Sequence, residues 1–156
     1  MSKVSPDKPV PDFELAATNG RTIKLSALKG HNVVLYFYPK DATSGCTLEA
    51  VAFSNFQLKF KRLNTVVLGV SRDSLKSHEN FRRKHALKFD LLSDESEKVC
   101  KLFSVMKMKS MYGRKYRGIE RSTFLIDTDG VLRAEWRKVA VKGHVDEVLM
   151  AIKILN

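Results

Sequence analysis

Cysteine is scarce in this 156-residue chain, with only Cys46 and Cys100 present. Two thiols exclude a disulfide framework. Neither has another Cys or a His close by in sequence, so no zinc site is expected. A long hydrophobic run is also missing. The longest, Val33 to Tyr38, has about six residues, against the ~20 needed to cross a bilayer as a helix. Met1-Ser2-Lys3-Val4-Ser5-Pro6 has no apolar leader segment, and a cytoplasmic location is the expectation. Acidic residues are outnumbered, 17 against 28 Lys and Arg, which gives a net charge of +11.

Charge of that size raises the question of nucleic acid. The basic residues are dispersed, however, over Lys59, Lys61 and Arg62, then Arg82, Arg83 and Lys84, then Lys107 to Arg117. No nucleic-acid motif accompanies them, so no nucleic-acid partner is expected beyond weak, salt-sensitive phosphate contacts. Apolar residues make up 44% and charged residues 29%, the balance of a globular chain with a sizeable core.

The order of elements is read from periodicity and turn chemistry. Residues 1–10 are polar with two prolines and read as a loose arm. Asn19-Gly20 marks a hairpin between Phe13–Thr18 and Arg21–Leu25, and Ser26 to Gly30 reads as one turn closed by glycine. Val33–Tyr38 and Thr65–Val70 are β-branched or aromatic and apolar on both faces, as central strands are. Helical spacing predicts one helix from Thr47 to Leu63 and another from Ser74 to Leu87. Phe89–Leu92 follows as a short strand. Asp94 and Glu97 suggest a capping box for a helix through Val99, Leu102, Phe103 and Met106. A basic loop with Gly113 and Gly118 comes next. Ser122–Ile126 and Val131–Trp136 then form a hairpin through Asp127-Thr128-Asp129-Gly130, and Val145–Leu155 closes the chain as a helix. Strands alternating with helices imply a parallel sheet segment, and the late hairpin adds an antiparallel part. One α/β domain is expected, a mixed sheet with helices on both faces.

Within that frame Cys46 stands where a strand hands over to a helix, behind small Ser44 and Gly45. Helix starts offer unpaired N–H groups and favour an anion, so a thiol there is expected to ionise readily. The stretch Tyr38-Pro39-Lys40-Asp41-x-Thr43-x-Gly45-Cys46-Thr47-x-Glu49-Ala50 resembles the active-site signature of the peroxiredoxins, most of all the peroxiredoxin Q or bacterioferritin comigratory group. Likeness continues through Pro11-Asp12-Phe13, Asn19-Gly20, Leu91-Leu92-Ser93-Asp94 and Met111-Tyr112-Gly113. It runs on through Gly118-Ile119-x-Arg121-Ser122-Thr123-Phe124-Leu125-Ile126-Asp127.

The resemblance implies a thioredoxin-like fold and a thiol peroxidase acting on hydrogen peroxide and organic hydroperoxides, with no cofactor. It implies Cys46 as the peroxidatic cysteine and Thr43 as hydrogen-bond partner of thiolate and peroxide. Pro39 would shield the site, Arg121 would reach the pocket from a distance, and Glu49 and Tyr38 would give support. At pH 7 a thiol of pKa about 8.5 is roughly 3% ionised, so full ionisation gains at most about 30-fold. The rest of the rate must come from placing the peroxide and stabilising the leaving oxygen.

Two positions depart from the family pattern. Val51 stands where many peroxiredoxin Q proteins carry a resolving cysteine, and Ser44 where proline is usual. Cys100 is the remaining candidate resolving thiol, although a buried structural role suits it better. A one-cysteine mechanism is therefore expected, with thioredoxin, glutaredoxin or glutathione as reductant and the protein a monomer or weak dimer. Two rivals are a cysteine hydrolase with His31, His78, His85 or His144 as base, and a basic binding module or chaperone with a structural cysteine.

Overall fold

The computed structural model describes residues 4–155. Its main sheet has seven strands. In chain order these are β1 (Glu14–Ala17), β2 (Arg21–Lys24), β3 (Asn32–Phe37), β4 (Thr65–Ser71) and β5 (Asp90–Ser93), then β8 (Ser122–Ile126) and β9 (Leu132–Trp136). Their spatial order is β2-β1-β5-β4-β3-β8-β9. Strands β3, β4 and β5 run parallel, while β8 and β9 on one side and β1 and β2 on the other are antiparallel. The helices are α1 (Ser44–Asn55), α2 (Gln57–Arg62), α3 (Leu75–His85), α4 (Lys98–Leu102) and α5 (His144–Leu155).

Strand β3 shows why the layers form. All six of its residues are buried, and successive side chains point to opposite faces. Val33, Leu35 and Phe37 enter one core with Val99, Cys100 and Phe103 around α4. Val34, Tyr36 and Tyr38 enter the other, with Phe53 of α1, Phe60 of α2, Phe81 of α3 and Val148 of α5. The sheet is thus covered on both faces, unequally, in a mixed α/β arrangement of the thioredoxin-like kind. Aromatic packing is dense: Phe103 lies 4.7 Å from Phe124 and 5.1 Å from Phe37, centroid to centroid.

Several expectations change. The arm is not loose in its described part. Val4 is buried in the core, and the backbone of Asp7, Lys8 and Val10 bonds to Gly130 and Leu132. Its first three residues lie outside the described structure. The helix expected over 47–63 starts earlier, at Ser44, and breaks at Phe56, whose φ of −101° and ψ of 14° leave helical geometry. The capping box does not form. Asp94 does cap α4, accepting from the N–H groups of Val99 and Cys100, but Glu97 sits in the left-handed region and pairs with Arg72 and Arg117. Met106 is no longer helical. It opens a strand instead.

That strand is part of the largest difference. The expected basic loop is a two-stranded ribbon, β6 (Met106–Met111) and β7 (Arg114–Ile119), turning at Tyr112-Gly113 with both φ angles positive. It pairs with no strand of the main sheet. Both of its faces are largely exposed, so it carries no alternating buried pattern.

Candidate active site

Strand β3 ends beside the start of β8, because the antiparallel register places Phe37 opposite Ser122. The chain leaving β3 forms the loop Tyr38 to Thr43 and enters α1. The residue entering β8 is Arg121. Two groups 75 positions apart therefore meet. Arg121 Nη2 donates to Cys46 Sγ at 3.5 Å, and Arg121 Nη1 donates to Glu49 Oε1 at 2.7 Å.

Cys46 is the third residue of α1, within the first turn, where backbone N–H groups have no carbonyl four residues back. It is 2% exposed. Gly45 is what allows the guanidinium this close: a Cβ at that position would lie 3.2 Å from Arg121 Nη2. Burial works against the charge of Arg121, but Glu49 and Cys46 beside it outweigh this and hold its pKa above the ordinary value. Burial pushes the Glu49 carboxyl from 4.5 to about 7, against the pull of Arg121. Glu49 is almost wholly enclosed, and its Oε2 has no protein partner.

Thr43 caps α1 in position but not in bonding. Its hydroxyl donates to the Lys40 carbonyl at 2.8 Å rather than meeting the sulfur, contrary to expectation. The oxygen keeps lone pairs free to accept a hydrogen bond. Pro39, Thr43, Cys46 and Arg121 line one open depression of about 950 Å³, closed on its far side by the ribbon through Lys109, Met111, Tyr112, Arg114, Lys115 and Tyr116.

Tyr38 turns to a different cluster. Its hydroxyl donates to Asp41 Oδ1 at 2.5 Å, and Asp41 Oδ2 lies 2.7 Å from His78 Nδ1 and accepts from Ser77 Oγ at 2.8 Å. The other His78 nitrogen lies 2.9 Å from the Leu92 carbonyl, and the Asp41 N–H donates to Asp73 Oδ2. Ala42, next in line, has φ +62°, a strained value for a residue with a Cβ. These contacts pin the loop that carries Pro39 and Thr43 to α3. Nothing in the sequence separated His78 from the other histidines, and Asp41 stood out only as part of the motif.

The hydrolase rival loses its base. His31 bonds Asn64, His78 bonds Asp41, His144 bonds Thr123 and His85 packs edge-to-face against Phe81. Among the described residues, none is a hydrogen-bond partner of Cys46. Cys100 is fully buried, and burial first, with the Asp94 charge beside it, pushes its thiol well above the ordinary range. The two cysteines belong to the cores on opposite faces of the sheet.

A sulfur with a fixed cation against it, and no histidine bonded to it among the described residues, suits attack on a bond that is already weak. The O–O bond of a peroxide is the natural target, and the class is that of thiol-dependent peroxidases. Residues 6–135 match the AhpC/TSA family, and the chain belongs to that family. It is 52% identical to Peroxiredoxin Bcp of Bacillus subtilis over 94% of this chain and 93% of that protein. It is 50% identical to a putative peroxiredoxin Bcp of Coxiella burnetii, covering 89% and 92%. A bacterioferritin comigratory protein of Xanthomonas campestris, whose structure was studied for alkyl peroxide reduction, superimposes with a TM-score of 0.87. It shares 46% identity over 92% of this chain and 91% of that one. A Xylella fastidiosa peroxiredoxin Q gives a TM-score of 0.93 at 39% identity over 99% of each chain. The protein is thus a peroxiredoxin, an enzyme that reduces peroxides at the expense of a thiol. No helix among the described residues is long and apolar enough to cross a membrane.

Proposed function

We propose that Cys46 is the peroxidatic cysteine of a one-cysteine cycle reset by an external thiol. The observation that carries this reading is the Arg121 guanidinium shared between Cys46 Sγ and Glu49. Thiolate sulfur attacks the nearer peroxide oxygen, the O–O bond breaks, and the far oxygen leaves with the electron pair and takes up a proton. Cys46 becomes a sulfenic acid, and water or an alcohol departs. Arg121 stabilises both the thiolate and the charge on the leaving oxygen. Thr43 Oγ1, already donating to Lys40, accepts from the peroxide O–H and aligns it. Pro39 walls the depression against water. Glu49 orients the guanidinium, and Tyr38 acts more remotely, through Asp41, on the loop.

The external reductant, thioredoxin, glutaredoxin or glutathione, is supported by the place of Cys100. A disulfide needs Cα atoms within about 7 Å, whereas a sheet lies between the two thiols. Val51, itself on α1, packs against the core and offers no thiol. We read the protein as a cytoplasmic monomer or weak dimer. Peroxide consumption by wild type, Cys46→Ser and Cys100→Ser, each with several thiols, tests the cycle. Cys46→Ser should lose turnover and Cys100→Ser should retain it. An intramolecular Cys46–Cys100 disulfide in unreduced peptides after peroxide treatment would refute the one-cysteine cycle.

A further inference from the structure

The depression over Cys46 is far larger than a peroxide group requires, and its charge is one-sided. Lys40, Lys109, Arg114, Lys115 and Arg121 line it, with no carboxylate. The first four make no ion pair among the described residues. The ribbon supplies three of these five, Lys109, Arg114 and Lys115, and carries Lys107 and Arg117 as well, with no acidic residue between Met106 and Ile119. Among the described residues, only Arg117 of these is neutralised, by Glu97. Between the cations stand apolar side chains in water, Met111 at 56% exposure and Tyr112, at the tip, at 98%. Exposed Met and Tyr beside an unpaired Arg are residues enriched where proteins meet, and the lysines add charge that steers a partner.

We propose that the β6–β7 ribbon is the docking face for an acidic dithiol protein that returns oxidised Cys46 to the thiol. This rests on the reading of Cys46 as the oxidised residue. A second copy of this chain would bring like charge against like charge. Nucleic acid would satisfy the cations and could stack on tyrosine. The ribbon, however, faces the same depression as the sulfur, so only a partner bearing a thiol gains from being placed there. The step balances as follows. One partner thiol attacks the Cys46 sulfenic acid, forming a mixed disulfide and releasing water. The second partner thiol attacks that disulfide, leaving Cys46 as a thiol and the partner oxidised to its disulfide. Cys46 is 2% exposed and lines this depression, so the attacking thiol must come through the opening that the ribbon borders. The ribbon holds the partner there, and its charge speeds encounter.

The test uses wild type and Arg114→Glu/Lys115→Glu, oxidised with one equivalent of peroxide and mixed in a stopped-flow instrument with a reduced, net-negative thioredoxin or with neutral dithiothreitol. For wild type, the rate with thioredoxin should fall about 10-fold from low to 0.5 M salt, while the dithiothreitol rate stays flat. In the variant, the ratio of the two rates should fall about 10-fold at low salt and lose its salt dependence, with Arg114→Gln/Lys115→Gln in between. An unchanged ratio and salt slope in the variant overturns the proposal. So does tight binding of a single-stranded oligonucleotide to the ribbon without salt-sensitive reduction by thioredoxin. If dithiothreitol fails to turn over the wild type, the Cys46 reading itself is wrong and the docking proposal falls with it.

Discussion

Replacing Glu49 by Gln should change how stability depends on pH, by an amount that follows from the burial of this carboxyl. It is almost fully enclosed, and burial pushes it from 4.5 to about 7. Below pH 4.5 the group is neutral in both folded and unfolded chains and contributes no pH dependence. Between 4.5 and 7 the unfolded chain sheds the proton first, so stability falls as pH rises. Above 7 both forms are charged and the loss is complete. At ~1.4 kcal/mol per tenfold change in proton affinity, the loss is about 3 kcal/mol. Gln keeps the shape and an oxygen for Arg121 Nη1 but does not titrate. Urea denaturation of both proteins at steps from pH 4.5 to 8.5 gives the two stability curves. The wild-type curve should descend relative to the variant by about 3 kcal/mol across that window. Curves that stay parallel within ~0.5 kcal/mol would refute the reasoning, because Glu49 would then ionise alike in both states.

The contact at Gly45 gives a second test. Alanine places a Cβ 3.2 Å from Arg121 Nη2, so the guanidinium must yield a few tenths of an ångström at the sulfur. The kcat/KM for peroxide should fall about 10-fold, with the melting temperature within ~2 °C of wild type, measured by stopped-flow kinetics and calorimetry. His78→Gln cannot span Asp41 and the Leu92 carbonyl as the ring does. It should cost about 1–3 kcal/mol of stability in urea titrations and slow peroxide reduction more than alkylation of Cys46 by iodoacetamide. Equal slowing of the two reactions would mean that the loop does not position the peroxide.

Much of the sheet was legible because burial leaves a mark on composition. β3 and β4 are apolar on both faces and could be little else, and Asn19-Gly20 turns a hairpin with both φ angles positive, as its chemistry requires. The ribbon left no such mark. With both faces in water, Met-Lys-Met-Lys satisfies no burial pattern, and only the Tyr112-Gly113 turn between two six-residue segments hinted at it. The N-terminal arm misled for a related reason: it is held largely by backbone hydrogen bonds to residues 130 and 132, which side-chain type does not report. The break at Phe56 falls between two stretches that keep the same apolar spacing, with no Gly or Pro to announce it. At the site, Cys46 and Glu49 are neighbours along one helix and could be read locally. Arg121 came only through resemblance. The Asp41–His78 pair was invisible, since its members are 37 positions apart and each looks ordinary alone.

The pairing of Phe37 with Ser122 has a further consequence. Because side chains alternate along a strand, a slip of β8 by one residue would do more than shift Arg121 by about 3.4 Å. It would turn the core residues Phe124 and Ile126 toward the wrong layer. A chain that misaligns β3 and β8 therefore cannot keep a sound interior while losing only its chemistry. Quality control of the interior and assembly of the guanidinium–sulfur pair are one event, enforced by the same ladder of backbone bonds.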